Sequence, residues 1–556
     1  MKNYKKFLIV IFAIATISCN ENILQEKPLD FLSPENSYTT PGGIESALFR
    51  NYSYLKNFYN GHADQGAYIH VGTDLCTSAR NSAIAHWGDY STLTVSSGIP
   101  QSFWSTWYKV IYNCNVIINR IDGVKYASET DKSRHMAEAR FFRGYAYKIL
   151  ANLFGGVPIV LTEITEPKRD FVRASKEEVY NQAIDDIVYA AQHLPGVTQV
   201  AAPGRLNNAA ANHILSELYI SVGQWDKAIA AATLVINDPN IKIMTTRFGK
   251  RASNEGDPYW DLFQVGNVNR GNGNLEGILV LQDEFNIPGG TDPLWYAGTG
   301  LYHERSYGPL FWQLADPKGV QCFDNKPYTQ VGGRPVGLVR PTNYFSYKIW
   351  DTQNWSTDIR NNNRNIMRDW KVTNPKSTYF GQYMSNFKQA FTAQDTLLKW
   401  YPYVSKCTTI NDHPAAVIAN AATGELIGTA GKTFNDWYLI RVSETYLLRA
   451  EAYLGKGDKT LAAADINVIR NRAVATPVTV AAVTIDYILD ERMRELNYEE
   501  GRRMTLGRLN KIYDRTVLGN EFAGKTIKPF NNLFPIPFNE IERNTGAVLV
   551  QNPGYN

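Results

Sequence analysis

The residues best suited to chemistry in this sequence are aromatic and planar polar side chains in two loop-like stretches. Residues 72–90 (GTDLCTSARNSAIAHWGDY) and 292–312 (DPLWYAGTGLYHERSYGPLFW) both combine Trp and Tyr with Asp and Arg. Aromatic faces stack on the C–H faces of sugar rings, and planar polar groups hydrogen-bond sugar hydroxyls. Both stretches therefore predict a shallow carbohydrate-binding surface. The alternative is that Trp87, Trp295 and Trp312 only seal these loops onto the rest of the protein.

The usual signatures of catalysis are missing or incomplete. Residues 428–433 (GTAGKT) resemble the end of a phosphate-binding loop, but Leu426 stands where that loop requires glycine. The nucleophile motif G-x-S-x-G and the zinc motif H-E-x-x-H do not occur, and the eight histidines are scattered. We therefore predict no catalytic residues and no metal site.

The densest charge cluster is residues 489–504 (LDERMRELNYEEGRRM). Glu491 and Glu495 would share one helix face, where two carboxylates could serve as acid and base. The interleaved arginines would keep both carboxylates ionised, which suits a structural ion-pair network better than a proton donor. We expect four further charged residues to face the same cluster: Arg441, Glu444, Arg449 and Glu451.

The N-terminus is typical of an exported protein. Three lysines precede an uncharged apolar run, and small residues follow it before Cys19. The run is shorter than the about 20 apolar residues of a transmembrane helix, so residues 1–18 are predicted to be a signal peptide. A cysteine in this position resembles the lipidation site of Gram-negative lipoproteins, although Thr16 stands where leucine is more usual. We expect Cys19 to carry lipid and residues 19–45 to form a proline-bearing leash and N-terminal segment.

The composition limits the class of protein. A net charge of +4 over 556 residues is too small to indicate nucleic-acid binding, and 44% hydrophobic residues is a globular value. The other cysteines, Cys76, Cys114, Cys322 and Cys407, are widely spaced and form no C-x-x-C motif, so neither a zinc site nor a dense disulfide framework is expected. Whether Cys76 pairs with Cys114 stays open.

Helical periodicity dominates both ends of the chain. Apolar stripes of period 3.6 predict helices over residues 103–121, 136–154 and 179–194. An internal repeat follows, because ELYISVGQWDKAIAAATLVI from Glu217 is matched by EAYLGKGDKTLAAADINVIR from Glu451, 234 residues later. Each copy reads as a helix, a Gly-centred turn and an Ala-rich helix, like a tetratricopeptide (TPR) hairpin. Since nearly 200 residues separate the copies, no continuous solenoid is expected. Two unrelated helix pairs are the alternative.

The segment between the repeats has a different composition. Residues 246–433 are rich in Gly, Asn, Pro and aromatics, and only a strand at 277–282 and short helical pieces stand out. Long irregular insertions in compact chains usually carry function. We therefore predict a mainly α protein with TPR-like hairpins as its scaffold. Its parts are a helical region at 46–245, an irregular ligand-binding lobe at 246–433 and a C-terminal TPR-like region at 434–556.

Five stretches together resemble the SusD/RagB family of outer-membrane lipoproteins. They are LDFLSPENSYTTPGGIESAL from Leu29, AEARFFRGYAYKILANLFGGVPIV from Ala137, YLIRVSETYLLRAEAYLGKGD from Tyr438, ILDERMRELNYEEGRR from Ile488, and NLFPIPFNEIERN with the ending LVQNPGYN from Asn532. The stretches occur in the order of the family and span nearly the whole chain. TLGRL at 505–509 departs from the family's usual Asp-Leu pair, which concerns a helix interface rather than ligand binding.

The resemblance implies a lipid-anchored protein of the outer membrane that captures oligosaccharide at the cell surface and delivers it to a SusC-like, TonB-dependent barrel. It implies neither catalysis nor a cofactor. The family's N-terminal site elements resemble Thr73-Asp74, Arg80 and Trp87 here, with Asn81 and Tyr90 as neighbours, and three more residues are added from the second aromatic stretch. The predicted glycan-binding residues are therefore Asp74, Arg80, Asn81, Trp87, Tyr90, Trp295, Tyr296 and Tyr302.

Three other functions remain open at this point. Some relatives handle peptides, and peptide binding would favour backbone-pairing edges and charged pockets over aromatic rims. A surface glycosidase would turn over an oligosaccharide. A scaffold between transporter subunits would bind the barrel without binding any ligand.

Overall fold

The computed structural model describes residues 34–60, 66–80, 88–294, 296, 299–350 and 354–555. The predicted signal peptide, Cys19 and most of the predicted leash lie outside these residues. The described part of the chain is mainly α-helical, as predicted, with short strands. Within it, no helix is long and apolar enough to cross a membrane.

Six helices form the N-terminal region. They are α1 (Pro41–Tyr59), α2 (Gly98–Arg120), α3 (Glu129–Phe154), α4 (Lys176–His193), α5 (Asn208–Ser221) and α6 (Trp225–Ile236). The side chains of Ser128 and Asn207 accept hydrogen bonds from first-turn amides of α3 and α5, and Ser175 forms a capping box with Glu178 at α4. Helices α2, α3 and α4 confirm the three predicted apolar stripes. Each begins a few residues early because its first turn precedes the apolar stripe.

Six helices follow the lobe. They are α7 (Val442–Lys456), α8 (Lys459–Arg472), α9 (Ile485–Leu496), α10 (Arg502–Arg508), α11 (Ile512–Gly519) and α12 (Phe538–Arg543). The hairpins α5–α6 and α7–α8 are the two copies of the repeat. Their turns contain Gly223 and Gly457, whose φ angles of 72° and 92° lie in the left-handed region that favours glycine.

The two repeat hairpins lie side by side, with α6 packed against α7. Ile220 and Ala228 form one apolar cluster with Leu448 and Ala452, where the small alanines let the helices approach closely. From α3 to α8 each helix packs against the next. The expectation that the hairpins would not form a continuous array is therefore wrong. The lobe leaves the array after α6 and returns to it at α7, so sequence separation does not become separation in space.

The remaining chain consists of turns, short helices and short strands. The short helices are Pro34–Ser37, Pro258–Asp261, His303–Tyr307 and Ala393–Leu398. The strands are β1 (Cys76–Ser78), β2 (Gly277–Leu281), β3 (Val339–Pro341), β4 (Ile366–Met367), β5 (Tyr403–Val404), β6 (Ile418–Asn420), β7 (Glu425–Leu426) and β8 (Trp437–Arg441). They pair antiparallel as β1–β3, β2–β8, β4–β5 and β6–β7. Strand β2 confirms the predicted strand, and its pairing with β8 closes the lobe directly before α7.

Glu491 on α9 is fully buried and lies among three arginines. Its carboxylate accepts hydrogen bonds from Arg360 at 2.8 Å, Arg470 at 2.8 Å and Arg494 at 2.7 Å. Burial alone would raise the pKa of Glu491, but the three positive charges lower it to about 2. Because Arg360 belongs to the lobe and Arg470 to α8, this one carboxylate connects three parts of the chain.

Glu495, one turn further along α9, has the same role. It accepts a hydrogen bond from Arg441 at 2.9 Å and pairs with Arg472. Arg441 also donates to Glu499 at 2.6 Å and pairs with Glu276, the residue before β2. The predicted ion-pair network is confirmed, and its arginines hold the carboxylates ionised rather than leaving one as a proton donor.

The other charges expected to face this network divide into two groups. Glu444 pairs with Arg492 of the cluster as expected, whereas Glu451 pairs with Arg508, four residues beyond the end of the cluster. Glu217, the repeat partner of Glu451, lies 3.6 Å from the same Arg508 guanidinium, so the repeated glutamates converge on one cation. Arg449 departs from the expectation because it pairs with Asp465 of α8 at 2.7 Å.

The four cysteines of the described chain, Cys76, Cys114, Cys322 and Cys407, are buried free thiols. Burial raises the pKa of the Cys76 and Cys114 thiols, so both stay protonated at neutral pH. Since both thiols are free, Cys76 and Cys114 are not joined by a disulfide, which answers the question that the sequence left open.

We predict that Glu491→Gln lowers the free energy of unfolding by about 3–5 kcal/mol at pH 7, because it leaves buried arginines without their counter-charge. The folded-state pKa of Glu491 is depressed, so its contribution is complete above the unfolded value of 4.5 and is lost as pH falls toward 2. The difference in urea midpoint between wild type and Glu491→Gln should therefore shrink at pH 3. Asp226→Asn removes the exposed Lys456–Asp226 pair and is the control, expected to leave the midpoint unchanged. An equal effect of both variants at pH 7 would contradict this account of the core.

Candidate functional site

A cleft of about 760 Å³ opens between three parts of the chain. Its lining comes from the first aromatic stretch, from the lobe and from the segment after α11. The described lining residues are Thr77, Ser78, Ala79, Arg80, Gly88, Asp89, Thr92, Leu310, Gln313, Gln394, Leu397, Leu398 and Phe522. They combine amide, hydroxyl, carboxylate and guanidinium groups with a ring and aliphatic side chains. The cleft can therefore offer a ligand both hydrogen bonds and an apolar contact.

Strand β1 fixes the first wall of the cleft, since Thr77 pairs with Arg340 of β3. Arg80 follows two residues after β1 and is half-buried. Its Nε donates to Gly337 O at 3.2 Å, and a second guanidinium nitrogen donates to Val336 O. These bonds hold Arg80 along the chain that leads into β3. The structure thus brings this sequence-predicted site residue to the edge of the cleft.

Asp74 has a different role from the predicted one. Its side chain is 0% exposed, and its carboxylate accepts bonds from Arg502 at 2.8 and 2.7 Å and from Arg515 at 2.8 Å. Burial alone would raise the pKa of Asp74, but these two arginines lower it. The prediction that Asp74 hydrogen-bonds a sugar is wrong, because the carboxylate is already satisfied and does not reach the surface. It ties the loop before β1 to α10 and α11.

Tyr90 is also buried, at 3% exposure. Its hydroxyl donates to Gly72 O at 2.7 Å and accepts a bond from Arg503 at 3.1 Å. The prediction that Tyr90 contacts glycan is therefore wrong, since the ring belongs to the hydrophobic core and its hydroxyl is used within the protein. Tyr90 instead fixes the chain next to Asp89, which does line the cleft.

The lobe supplies the second wall. Leu310 N donates to Leu398 O at 3.0 Å, which joins the turn Phe311–Gln313 to the end of the helix Ala393–Leu398. That helix begins with a capping box between Thr392 and Asp395, which fixes the backbone around Gln394. Two glutamine amides, Gln313 and Gln394, therefore reach the cleft from separate lobe segments.

Phe522 supplies the third wall and was not found by sequence reasoning. Its ring is 37% exposed, and the Arg340 guanidinium lies 4.9 Å from the ring centre. Arg340 is held by Glu521 at 2.7 Å. Phe522 lies in no aromatic cluster of the sequence, so only the fold reveals that it faces the same space as Arg80. The two glutamines were missed for the same reason.

The second aromatic stretch contributes less than predicted. Tyr302 is 8% exposed, its amide donates to Asn60 O at 2.6 Å, and Lys432 lies 5.3 Å from its ring centre. The prediction that Tyr302 stacks on a sugar is therefore wrong, because the ring seals the loop. Tyr296 is 61% exposed but is not among the residues lining the cleft.

Three other predicted site residues, Asn81, Trp87 and Trp295, lie outside the described residues, and their roles stay predictions. Trp312, from the same sequence stretches, is 7% exposed and donates its indole N–H to Pro335 O at 2.8 Å. This tryptophan packs in the core, which is the alternative that the sequence left open.

The charges at the cleft favour ligands with electron-rich oxygens. Hydrogen bonds from the Ser91 hydroxyl and amide lower the pKa of Asp89, so this carboxylate is an acceptor at neutral pH. Burial lowers the pKa of Arg305 to about 10, and the nearby positive charges of Arg334 and Arg80 add to that effect. Of these three arginines, Arg80 is among the described residues that line the cleft, where its guanidinium can donate to hydroxyl or carboxylate oxygens.

A second groove of about 360 Å³ runs along α2 and has a different chemistry. Its lining is largely aromatic and aliphatic and includes Tyr108, Tyr112, Val160 and Phe171. Exposed aliphatic residues flank it in sequence: Leu161, Val172, Val548 and Val550. This groove offers few polar groups to a hydroxylated ligand.

Comparison with known proteins identifies the family. A family model described as the SusD family matches residues 253–555, and a model described as starch-binding associating with outer membrane matches residues 30–220. Two SusD-like proteins of Formosa agariphila are 23% and 24% identical to this chain. The alignments cover 99% of both chains in the first case and 100% of both in the second.

Solved structures share the fold. A laminarin binding SusD-like protein has a TM-score of 0.67 at 22% identity, covering 93% of this chain and 100% of its own. Surface glycan-binding protein A from Bacteroides thetaiotaomicron, in complex with laminarihexaose, has a TM-score of 0.64 at 18% identity, covering 92% and 100%. Because the SusD family model spans more than half of the sequence, the chain belongs to the SusD family.

Proposed function

We propose that this protein binds an extended oligosaccharide in the cleft and delivers it to a TonB-dependent barrel in the outer membrane. The observation that carries the proposal is the cleft of about 760 Å³. Arg80 lines it together with the side chains of Gln313, Gln394 and Phe522, which come from distant parts of the chain. Amide and guanidinium groups suit sugar hydroxyls, and a ring suits the C–H face of a pyranose.

Different residues of the cleft would make different contacts with the ligand. Arg80, Gln313 and Gln394 would hydrogen-bond hydroxyls, and Phe522 would stack on a ring. Asn81 and Trp87 belong to the segment that joins the lining residues Arg80 and Gly88, and we propose that both contact the same ligand. Trp295 and Tyr296 are proposed as further ring contacts from the second aromatic stretch.

The small number of carboxyl groups that line the cleft favours ligand binding without turnover. Most glycosidases need two carboxyl groups about 5–10 Å apart on either side of the scissile bond. Asp89 is the single carboxylate of the described lining, and residues 81–87 (NSAIAHW) contain no acidic residue. The lowered pKa of Asp89 also makes it a poor proton donor. We therefore propose a non-enzymatic role that requires no cofactor.

Laminarin is the first polysaccharide to test, because the names of two similar structures contain laminarin or laminarihexaose. Identities of 22% and 18% make this a choice of first ligand rather than an assignment. We propose an oligosaccharide as the class of ligand, with the sugar and its linkage to be found by a screen.

We predict that wild-type protein is retarded in native gels containing at least one of laminarin, xyloglucan, mixed-linkage β-glucan, starch, galactomannan or pullulan. The shallow cleft predicts a Kd between micromolar and millimolar, about −8 to −4 kcal/mol. Phe522→Ala should weaken retention about tenfold, since it removes both the stacking face and its contact with Arg340.

Phe380→Ala is the matched control, because Phe380 is 55% exposed and does not line the cleft. Gln313→Ala with Gln394→Ala tests the polar contacts without touching an aromatic ring. Retention of a peptide digest instead of any glycan would favour the peptide-uptake function. Release of sugars from a retained polysaccharide would establish an enzyme.

We predict that Cys19 is the lipidated N-terminal residue of the mature protein. Mass spectrometry of protein from native membranes should find a diacylglyceryl cysteine at position 19, and Cys19→Ala should move the protein out of the membrane fraction. A TonB-dependent barrel should co-purify with the wild type from detergent extracts. An unlipidated N-terminus elsewhere would overturn the anchor and leave the cleft proposal intact.

A further inference from the structure

The groove along α2, which we name the α2 groove, is an apolar surface that the proposed function does not use. Its floor is one face of α2, from Trp104 to Asn115, and its walls come from residues 158–171 and from the C-terminal segment that contains Leu549. Tyr112 on the floor is 45% exposed, and Leu161 beside the wall is 39% exposed. A groove with such a lining marks a place where another chain segment, a protein or a lipid binds.

Hydrogen bonds within the protein hold the α2 groove in shape. The Tyr108 hydroxyl donates to Pro158 O at 2.7 Å. Further along α2, the side-chain amide of Asn115 donates to Val160 O at 2.9 Å and to Thr162 O at 3.2 Å. These bonds lay the wall along α2, toward the C-terminal end of the helix, and they use polar atoms of the lining internally. The groove therefore suits apolar side chains better than a hydroxylated ligand.

The described chain begins beside one end of the α2 groove. The Tyr38 hydroxyl donates to Asn113 Oδ1 of α2 at 2.9 Å. Arg120, the last residue of α2, pairs at 2.7 Å with Glu163, which stands between two lining residues of the wall. The C-terminal end of the groove and the start of the described chain thus lie at the same part of α2. Residues that precede Pro34 are within reach of the groove.

The sequence before Pro34 contains a segment of suitable length and character. Residues 29–32 are LDFL, with three apolar side chains in four positions. The floor from Trp104 to Asn115 is about 17 Å long at the rise of an α-helix. An extended chain covers that length with about five residues. In an extended chain, Leu29 and Phe31 would point to the same side and could enter the groove together.

Two charged side chains lie on the rim of the α2 groove. Lys109 is exposed near the middle of the floor, and Glu540 on α12 is half-buried. Glu540 lies toward the N-terminal end of α2, because Phe538 N of the same short helix donates to Val95 O at 3.1 Å, just before α2 begins. A chain that enters from the Tyr38 end would therefore pass Lys109 first and Glu540 second.

The charges of the N-terminal segment occur in the complementary order. Going back along the chain from Pro34, the segment presents Asp30 first and Lys27 second. Asp30 would thus come beside the Lys109 ammonium and Lys27 beside the Glu540 carboxylate. Matching charges of opposite sign fix the register of a contact more than its strength.

We propose that residues 29–32 of this same chain occupy the α2 groove as a strap, with Leu29 and Phe31 against its floor. Because the strap is tethered, its effective concentration at the groove is about millimolar, so weak contacts suffice to hold it. Cys19 would then lie at most about 35 Å from Leu29, the reach of the intervening extended chain. The strap would set which face of the protein is turned to the membrane. That consequence alone depends on the proposed lipid anchor.

The first test is photo-crosslinking of the mature protein with p-benzoylphenylalanine in place of Phe31. We expect crosslinks within one chain to lining residues of the groove, such as Tyr112 and Val160, identified by mass spectrometry. The same photoreactive residue in place of Ile23 is the matched control and should not reach the groove. Crosslinks between two copies, crosslinks to the barrel in native membranes, or the absence of any crosslink to the groove would each overturn the strap.

The second test is hydroxyl-radical footprinting of the mature protein. Leu29→Ser with Phe31→Ser should raise the oxidation of Tyr112 severalfold, whereas Ile23→Ser with Leu24→Ser should leave it unchanged. Tyr383 is 51% exposed and does not line the groove, so its oxidation should be equal in all samples. An unchanged circular dichroism spectrum of each variant shows that its helices are intact.

The remaining outcomes of the footprinting each contradict the strap. Equal oxidation of Tyr112 in the wild type and in the Leu29→Ser with Phe31→Ser variant would overturn it. Oxidation of Tyr112 in the wild type that falls only after phosphatidylethanolamine vesicles are added would assign the groove to a lipid surface. Neither test uses a glycan, so failure of the strap and failure of the proposed function are separate results.

Discussion

The fold depends on buried ion pairing around helix α9. Glu491 and Glu495 are both fully buried and together contact arginines from the lobe, from β8 and from α8. Removing charged groups from water costs several kcal/mol per ion, and only close, multiple pairing compensates for it. Each of these carboxylates must therefore meet its arginines at one geometry, which fixes the lobe relative to the helical array. A purely apolar interface would tolerate more sliding between the two parts.

The same kind of pairing reaches the cleft through Asp74. This carboxylate connects the loop before β1 with Arg502 of α10 and Arg515 of α11, more than 400 residues away along the chain. Gly519, at the end of α11, lies so close to Asp74 that a Cβ there would come within 2.8 Å of the aspartate Cβ. The wall carrying Thr77 and Arg80 is therefore positioned from the C-terminal helices. Asp74 thus positions this wall of the cleft without reaching its surface.

Sequence reasoning succeeded where a signal is periodic or repeated. The stripes of α2 to α4, the two hairpins and the charge cluster of α9 could be predicted because helix geometry converts spacing directly into a shared face. Sequence reasoning failed where the role of a side chain depends on whether it is buried or exposed. Tyr90 and Tyr302 have the same composition around them as a sugar site but are buried, whereas Phe522 has no aromatic neighbours in sequence and is exposed in the cleft. Burial depends on contacts between distant segments, and composition within one loop does not contain that information. Nor could sequence separation predict that α6 and α7 pack together.

Inserting the lobe between α6 and α7 costs loop-closure entropy. The pairing of strands β2 and β8 offsets this cost. The entropic cost of closing a loop grows only as the logarithm of its length, about 0.6 kcal/mol for each doubling. Contacts that join the ends of a loop of nearly 200 residues can therefore compensate for its closure. Strand β2 in the first part of the lobe pairs with β8 directly after it, and Glu276 before β2 pairs with Arg441 at the end of β8. Because Arg441 immediately precedes α7, closing the lobe also places α7 beside α6. The lobe and the helical array are thus completed by the same contacts, since the strand that closes the lobe leads directly into α7.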